Sequence, residues 1–189
     1  RGEVRLPFEG VHGVGAEDVL DGLLDEARAA REVTATSAIY VLDGFFPGAG
    51  DQYAKIDCRP VIGDATELAE WDAFRKTSGW EGQAAIHIDT GMNRLGFRVM
   101  EAQALLPRIK NGNHGISLVM SHLTSAEMLH DPANGRQVAA FREIASLFSG
   151  VPASLANSSG IFLGPQFHFD LVRPGAALYG VNPTPEADT

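Results

Sequence analysis

The sequence contains a single cysteine, Cys58, and very few lysines for its 189 residues. One cysteine cannot form an intramolecular disulfide, which excludes a disulfide-stabilised secreted scaffold and favours a reducing compartment. No apolar run approaches the roughly 18 residues of a membrane span. Acidic residues outnumber basic ones by 24 to 15, which gives a net charge of −9. A general affinity for nucleic acid is therefore not expected.

The composition is otherwise that of one globular domain with a sizeable core, since 44% of the residues are apolar. Residues 1–36 differ from the rest: they open rich in glycine, and apolar residues at helical spacing over 17–32 predict one helix. Residues 37–184 form the regular body of the chain, and 185–189 are a short tail.

Short apolar runs alternate with helical patterns throughout this body. Strands are predicted over 37–42, 59–62, 84–89, 116–121, 152–156 and 171–180, and helices over 66–77, 101–110 and 133–147. This alternation is typical of βαβ units around a parallel sheet that is buried on both faces. Two architectures remain open, a doubly wound sheet and a (β/α)8 barrel. With about six strands, a barrel would be incomplete.

Small and polar residues follow the predicted strands at their carboxyl ends, where parallel α/β folds bind ligands. The candidate residues there are Arg94, His122, Asn157, Ser158, Arg173, Gly175 and Ala176. Small residues allow backbone N–H groups to approach an anion closely. The sequence therefore predicts a site for a small phosphorylated ligand, with the phosphate near residues 157–159 and 175–176.

Four sequence blocks in this region resemble the alanine racemase family. They are DTGMNRLGF (89–97), SHLTSAE (121–127), LANSSG (155–160) and DLVRPGAALYG (170–180), in the family's order and near its spacing. The resemblance covers residues 37–184. It implies an α/β fold, the TIM-type (β/α)8 barrel of fold-type III pyridoxal-phosphate enzymes, here incomplete and without the family's C-terminal β domain.

The resemblance also implies a function and a setting. The complete enzyme would be a cytoplasmic bacterial isomerase that interconverts L-alanine and D-alanine for peptidoglycan, using pyridoxal 5'-phosphate. It would be a homodimer whose other partner is a small amino acid, with neither nucleic acid nor membrane as a partner.

Individual roles follow from the same resemblance. Arg173 is implied as the donor to the pyridine nitrogen of the cofactor; because a guanidinium does not release its proton, the ring stays unprotonated, which suits a racemase. Arg94 is implied to bind the substrate carboxylate, and His122 to lie beside the pyridine ring. The implied phosphate contacts are Ser158, Gly175 and Ala176, adjoined by Asn157.

Both catalytic bases of the family lack a counterpart in this sequence. The motif around the lysine that forms the Schiff base does not occur, and the catalytic tyrosine belongs to the C-terminal domain. No catalytic residue is therefore identified among the lysines (Lys55, Lys76 and Lys110) or the tyrosines (Tyr40, Tyr53 and Tyr179).

His87 is a further departure, because many members of the family carry a carbamylated lysine there that supports the arginine equivalent to Arg94. His87 and Asp89 lie two residues apart on one predicted strand, but without a third ligand at a suitable spacing we predict no metal site.

The leading hypothesis is a fragment or truncated member of the family that carries the cofactor-binding part of the barrel. One alternative is a non-catalytic module that binds pyridoxal phosphate or phosphate, or a decayed homologue. Another is a different fold-type III amino-acid racemase.

Overall fold

The computed structural model describes residues 18–21, 23–110, 112 and 114–185. The glycine-rich start of the predicted N-terminal segment, residues 1–17, and residues 186–189 of the tail lie outside this part. The strands are β1 (Asp18–Asp21), β2 (Ala38–Val41), β3 (Cys58–Ile62), β4 (Ala84–Asp89), β5 (Phe97–Arg98), β6 (Ile116–Met120), β7 (Ala153–Asn157) and β8 (Leu171–Arg173). The helices are α1 (Leu24–Val33), α2 (Gly50–Ile56), α3 (Ala65–Ser78), α4 (Val99–Gln103), α5 (Leu106–Lys110), α6 (Pro132–Leu147), α7 (Ser158–Phe162) and α8 (Gly175–Leu178).

The strands form a parallel sheet in the order β1-β2-β3-β4-β6-β7-β8, and the two-residue β5 pairs with β4. Sequential strands therefore pair side by side, as they do in a barrel and not in a doubly wound sheet. The expected α/β class and incomplete barrel are confirmed. Within the described residues seven strands lie in series, one more than the sequence predicted, because β1 precedes the expected set.

Two groups of apolar side chains lie on the two faces of this sheet. The larger one, which includes Trp71, Tyr53 and Phe141, fills the space between the strands and the helices. The smaller one consists of Tyr40, Val61, Ala85, Leu118 and Met120, which come from β2, β3, β4 and β6. Burial on both faces explains why the strands read as continuous apolar runs.

Local capping fixes where the two longest helices begin. Asp64 accepts hydrogen bonds from the backbone N–H groups of Thr66 and Glu67 and so caps α3. Asp131 caps α6 in the same way, and Pro132 occupies its first turn, where a missing N–H costs nothing. Each helix consequently starts one residue before its predicted start.

Three predicted elements differ from the structure. The predicted helix over 17–32 is present only from Leu24 onward, as α1, because residues 18–21 form β1 and pair with 38–41. The predicted helix over 101–110 is split into α4 and α5, since Pro107 is tolerated in a first helical turn but not in a helix interior. The predicted strand over 171–180 ends at Arg173, because Pro174 has no N–H for the ladder and the chain turns into α8.

Gly96 lies where the loop after β4 returns against the strand it left. Its φ is +108°, and a Cβ there would lie 2.8 Å from the backbone nitrogen of Asp89 and 3.0 Å from the carbonyl oxygen of His87. Both obstacles are backbone atoms of β4, so neither can move aside. Only glycine therefore fits, and the close approach sets the path of the loop that carries Arg94.

We expect Gly96→Ala to lower the free energy of unfolding by more than the roughly 1–3 kcal/mol that the backbone conformation alone costs. The matched control is Gly135→Ala in α6, where a Cβ meets no atom within 4 Å. That change should stabilise by about 0.5–1 kcal/mol, the helix propensity difference. Urea unfolding of Gly96→Ala and Gly135→Ala compares the two effects. Equal unfolding midpoints would contradict the close approach of Gly96 to the backbone of β4.

Candidate functional site

The strand registers bring the predicted residues to one edge of the sheet. His87 of β4 pairs with Met120 of β6, so Asp89 and His122, each two residues further on, lie at the same level. Asn157 of β7 is the register partner of Arg173 of β8. The carboxyl ends of four neighbouring strands thus meet, and we call this region the strand-end rim.

Arg173 is the best-anchored cation of the rim. Its Nη1 donates to Ser154 Oγ at 2.6 Å, and its Nη2 donates to the carbonyl oxygens of Ser121 at 2.7 Å and Leu155 at 3.2 Å. These acceptors are all neutral and belong to β7 and the end of β6. Burial lowers the pKa of Arg173 to about 10. The guanidinium therefore stays charged at neutral pH, with no carboxylate among its hydrogen-bond partners in the described residues.

The two histidines of the rim are neutral at physiological pH. Burial, and then the positive charge of Arg173, lower the pKa of both His87 and His122 to about 4. His122 Nδ1 lies 3.5 Å from Arg173 Nη2, at the limit of a hydrogen bond. The positive charge of Arg94 also lowers both pKa values, so it acts on the same two imidazoles as Arg173. The rim therefore combines fixed positive charge with neutral imidazoles.

Arg94 lies on a loop that Asp89 shapes. The carboxylate oxygen Oδ1 of Asp89 accepts the backbone N–H groups of Gly91 at 2.9 Å and Asn93 at 3.0 Å. Asn93 adopts the left-handed conformation with φ of 56°, which asparagine tolerates better than most residues. Arg94 itself is exposed, and its guanidinium makes no hydrogen bond within the described ranges. Its charge is thus available to an incoming anion.

Ser158 joins the two short helices that follow β7 and β8. It is 5% exposed, and its Oγ accepts the backbone N–H of Ala177 at 3.1 Å. Asn157 caps α7, because its side-chain oxygen accepts the N–H of Gly160 at 2.9 Å. Helix starts leave backbone N–H groups without helical partners. The bond between Ser158 and Ala177 therefore holds the start of α7 close to α8, whose first two residues, Gly175 and Ala176, are exposed.

Three polar residues that support the rim were not among the predicted ones. Ser154 is fully buried and links Arg173 to the carbonyl oxygen of Leu171. Thr90 and Gln137 connect the loops after β4 and β6. A signal for Gln137 existed, since it falls on the apolar face of α6, one residue before Val138, and a polar residue on such a face must find a buried partner.

The described residues contain no group of three His, Cys, Asp or Glu side chains that converge on a metal ion. Within the same residues, no helix combines the length and the apolar character needed to cross a bilayer. Cys58 is buried.

The parallel strands in sequential order, with two arginines at their carboxyl ends, place the chain in the class of α/β-barrel proteins that bind ligands at this edge. Within that class the family is specific: residues 9–183 match the family model described as alanine racemase, N-terminal domain. This match spans most of the sequence, and the chain belongs to the alanine racemase family.

Curated relatives and solved structures agree with this assignment. The chain is 46% identical over 165 residues to the alanine racemase of Methylobacterium nodulans, covering 87% of this chain and 45% of that protein. It is 43% identical over 174 residues to the catabolic alanine racemase of Mesorhizobium japonicum, covering 90% of this chain and 45% of that protein. The chain thus spans about half the length of the curated relatives it matches.

Two solved structures show the same fold. The alanine racemase of Bartonella henselae, whose crystal structure contains covalently bound pyridoxal phosphate, matches with a TM-score of 0.86 and 32% identity, over 95% of this chain and 53% of that one. The biosynthetic alanine racemase of Pseudomonas aeruginosa matches with a TM-score of 0.84 and 26% identity, over 96% of this chain and 50% of that one.

Replacing Arg173 by methionine is expected to raise the pKa of both His87 and His122 from about 4, because its charge is the second cause of their lowering after burial. The values should stay below 6.5, since the burial remains. Imidazole resonances followed by NMR against pH give both values. Arg136→Met, which removes an exposed charge on α6, should leave them unchanged; an equal change in both variants would contradict the geometry.

The same pKa values predict how stability depends on pH. Both histidines titrate near 4 in the folded chain and near 6.5 when unfolded. The unfolded chain therefore takes up protons first as the pH falls, and the free energy of unfolding should decrease between about pH 6.5 and pH 4. Urea unfolding of His122→Asn should show a weaker pH dependence over this interval than the parent chain. An unchanged dependence would argue against a buried neutral imidazole at this position.

Proposed function

We propose that this chain is the cofactor-binding barrel of an alanine racemase and that the complete protein interconverts L-alanine and D-alanine with pyridoxal 5'-phosphate. The observation that carries this proposal is Arg173, a cation at the rim whose hydrogen-bond partners among the described residues are all uncharged. The finer features of the proposal are a bacterial cytoplasmic location, a homodimeric complete enzyme and a role in supplying D-alanine for peptidoglycan.

The residues of the rim fit the cofactor by the chemistry of their donors. Ser158 Oγ and the backbone N–H groups at the starts of α7 and α8, including those of Gly175 and Ala176, would hold the phosphate. Arg173 would donate to the pyridine nitrogen, and His122 would lie beside the ring. Asn157 supports this cradle by capping α7.

Bound pyridoxal phosphate would supply an electron sink for the electrons left when an amino acid loses its α-proton. Arg173 would donate a hydrogen bond without releasing its proton, because its pKa of about 10 remains far above neutrality. Arg94 would bind the substrate carboxylate, since its charge has no internal partner among the described residues. His87 and His122 add no further positive charge at neutral pH, because burial keeps them neutral.

The bases for racemisation are not supplied by the lysines of this chain. All three are exposed and belong to α2, α3 and α5, on the helical side of the sheet (Lys55, Lys76 and Lys110). We therefore propose that this polypeptide alone holds the cofactor without racemising alanine. This observation also supports the second candidate, a non-catalytic module that binds pyridoxal phosphate reversibly.

Ser158→Ala is expected to weaken pyridoxal phosphate binding by about tenfold or more, as for the loss of a hydrogen bond to a charged group. Affinity for pyridoxal, which has no phosphate, should not change. Ser146→Ala on the exposed face of α6 is the control. Equilibrium titration followed by cofactor absorbance gives the six dissociation constants, for the parent chain and both variants with each ligand. An equal loss of affinity for pyridoxal would contradict a phosphate contact.

Borohydride reduction with pyridoxal phosphate, followed by peptide mass analysis, tests for a base in the chain. We expect only low, scattered labelling of the three exposed lysines, equal in the parent chain and in Arg173→Met. The bound cofactor should also be removed by dialysis. A single stoichiometric adduct on one lysine, lost in Arg173→Met, would overturn the proposal that this chain lacks the base.

A further inference from the structure

Gln137 is a buried amide that the proposed chemistry does not use. It lies on α6, is 3% exposed, and reaches the strand-end rim from the helical layer. Its Oε1 accepts the backbone N–H of Thr124 at 2.9 Å. Its Nε2 donates to the carbonyl oxygen of His122 at 3.0 Å and lies 3.5 Å from Thr90 Oγ1. Both ends of the amide are therefore engaged, as burial requires.

These bonds continue the connection between β4 and β6 beyond the ends of the two strands, into the loops that follow them. Thr90 belongs to the loop after β4 that carries Arg94, and its hydroxyl lies 2.8 Å from Ser121 Oγ after β6. The carbonyl oxygen of the same Ser121 accepts from Arg173. One chain of hydrogen bonds thus runs from α6 through two loops to the cation of β8.

We propose that Gln137 is a positioning residue that fixes His122 and the Arg94 loop relative to Arg173, and thereby sets the affinity of the rim for the cofactor. It acts through the backbone of His122 and the hydroxyl of Thr90 and does not touch the ligand. The identity of the ligand in this inference rests on the proposed function, whereas the positioning role of Gln137 rests on its hydrogen bonds alone.

An amide is the side chain that fits this place. A glutamate of the same shape would present oxygen to the carbonyl of His122, where a donor is needed. A methionine would fill the volume while donating and accepting nothing. Asn134 provides a matched control: it is another buried amide of α6, one turn earlier, and its Nδ2 donates to the carbonyl oxygens of Ser125 and Met128, outside the bonded chain described above.

The test compares Gln137→Met and Gln137→Glu with Asn134→Leu, which removes a buried amide from the same helix. We expect all three to lower stability in urea. Only the two Gln137 variants should shift the imidazole resonances of His122 and weaken pyridoxal phosphate binding, by about tenfold, the lower end of what loss of an outer hydrogen-bond partner costs a metal site.

Two measurements separate the outcomes. If the His122 resonances move no more in the Gln137 variants than in Asn134→Leu, Gln137 is merely structural and the inference is wrong, whatever the ligand. If the resonances move as expected but the parent chain binds no pyridoxal phosphate, the proposed function fails and the positioning role stands without a cofactor. If the parent chain binds and the Gln137 variants bind equally well, the link to affinity is overturned.

Discussion

The arrangement of the rim depends on how one guanidinium is held. Arg173 donates to a serine hydroxyl and two backbone carbonyls, all of them uncharged. A carboxylate partner would have cancelled the charge and turned the arginine into a structural ion pair, like that between Arg108 and Asp72. Neutral acceptors orient the cation and leave its field intact. That field contributes to the neutrality of both histidines and to the attraction for an anion.

Holding Arg173 in this way requires the parallel sheet to be in register. Two of its acceptors, Ser154 and Leu155, belong to β7, and the third is a carbonyl at the end of β6. Pro174 ends β8 directly after Arg173, so the chain turns into α8 and brings Ala177 to Ser158. Arg173 and the contact between Ser158 and Ala177 are thus separated only by the end of β8.

The sequence predicted much of this arrangement because buried parallel strands are visible as continuous apolar runs, and the residues that bind ligands in such folds follow the ends of those runs. It placed β4 correctly and came within a residue or two of the ends of β6 and α6, and it brought Arg94, His122, Ser158 and Arg173 to one edge. It missed β1, whose pairing with β2 is a tertiary effect, and the break at Pro174, which a run of apolar residues concealed. It also missed Ser154 and Gln137, because their partners are backbone atoms distant in sequence.

The cationic rim belongs to a chain whose net charge is −9. At distances beyond the Debye length of about 8 Å in physiological salt, the charges of Arg94 and Arg173 are screened and such a chain offers an anion no attraction, whereas close to the rim these two charges attract it. An anionic ligand is therefore guided only over the last stretch of its approach, and from one side. The direction from which an anion approaches is therefore selected before any hydrogen bond forms. Added salt should slow the entry of phosphorylated ligands more than that of neutral ones.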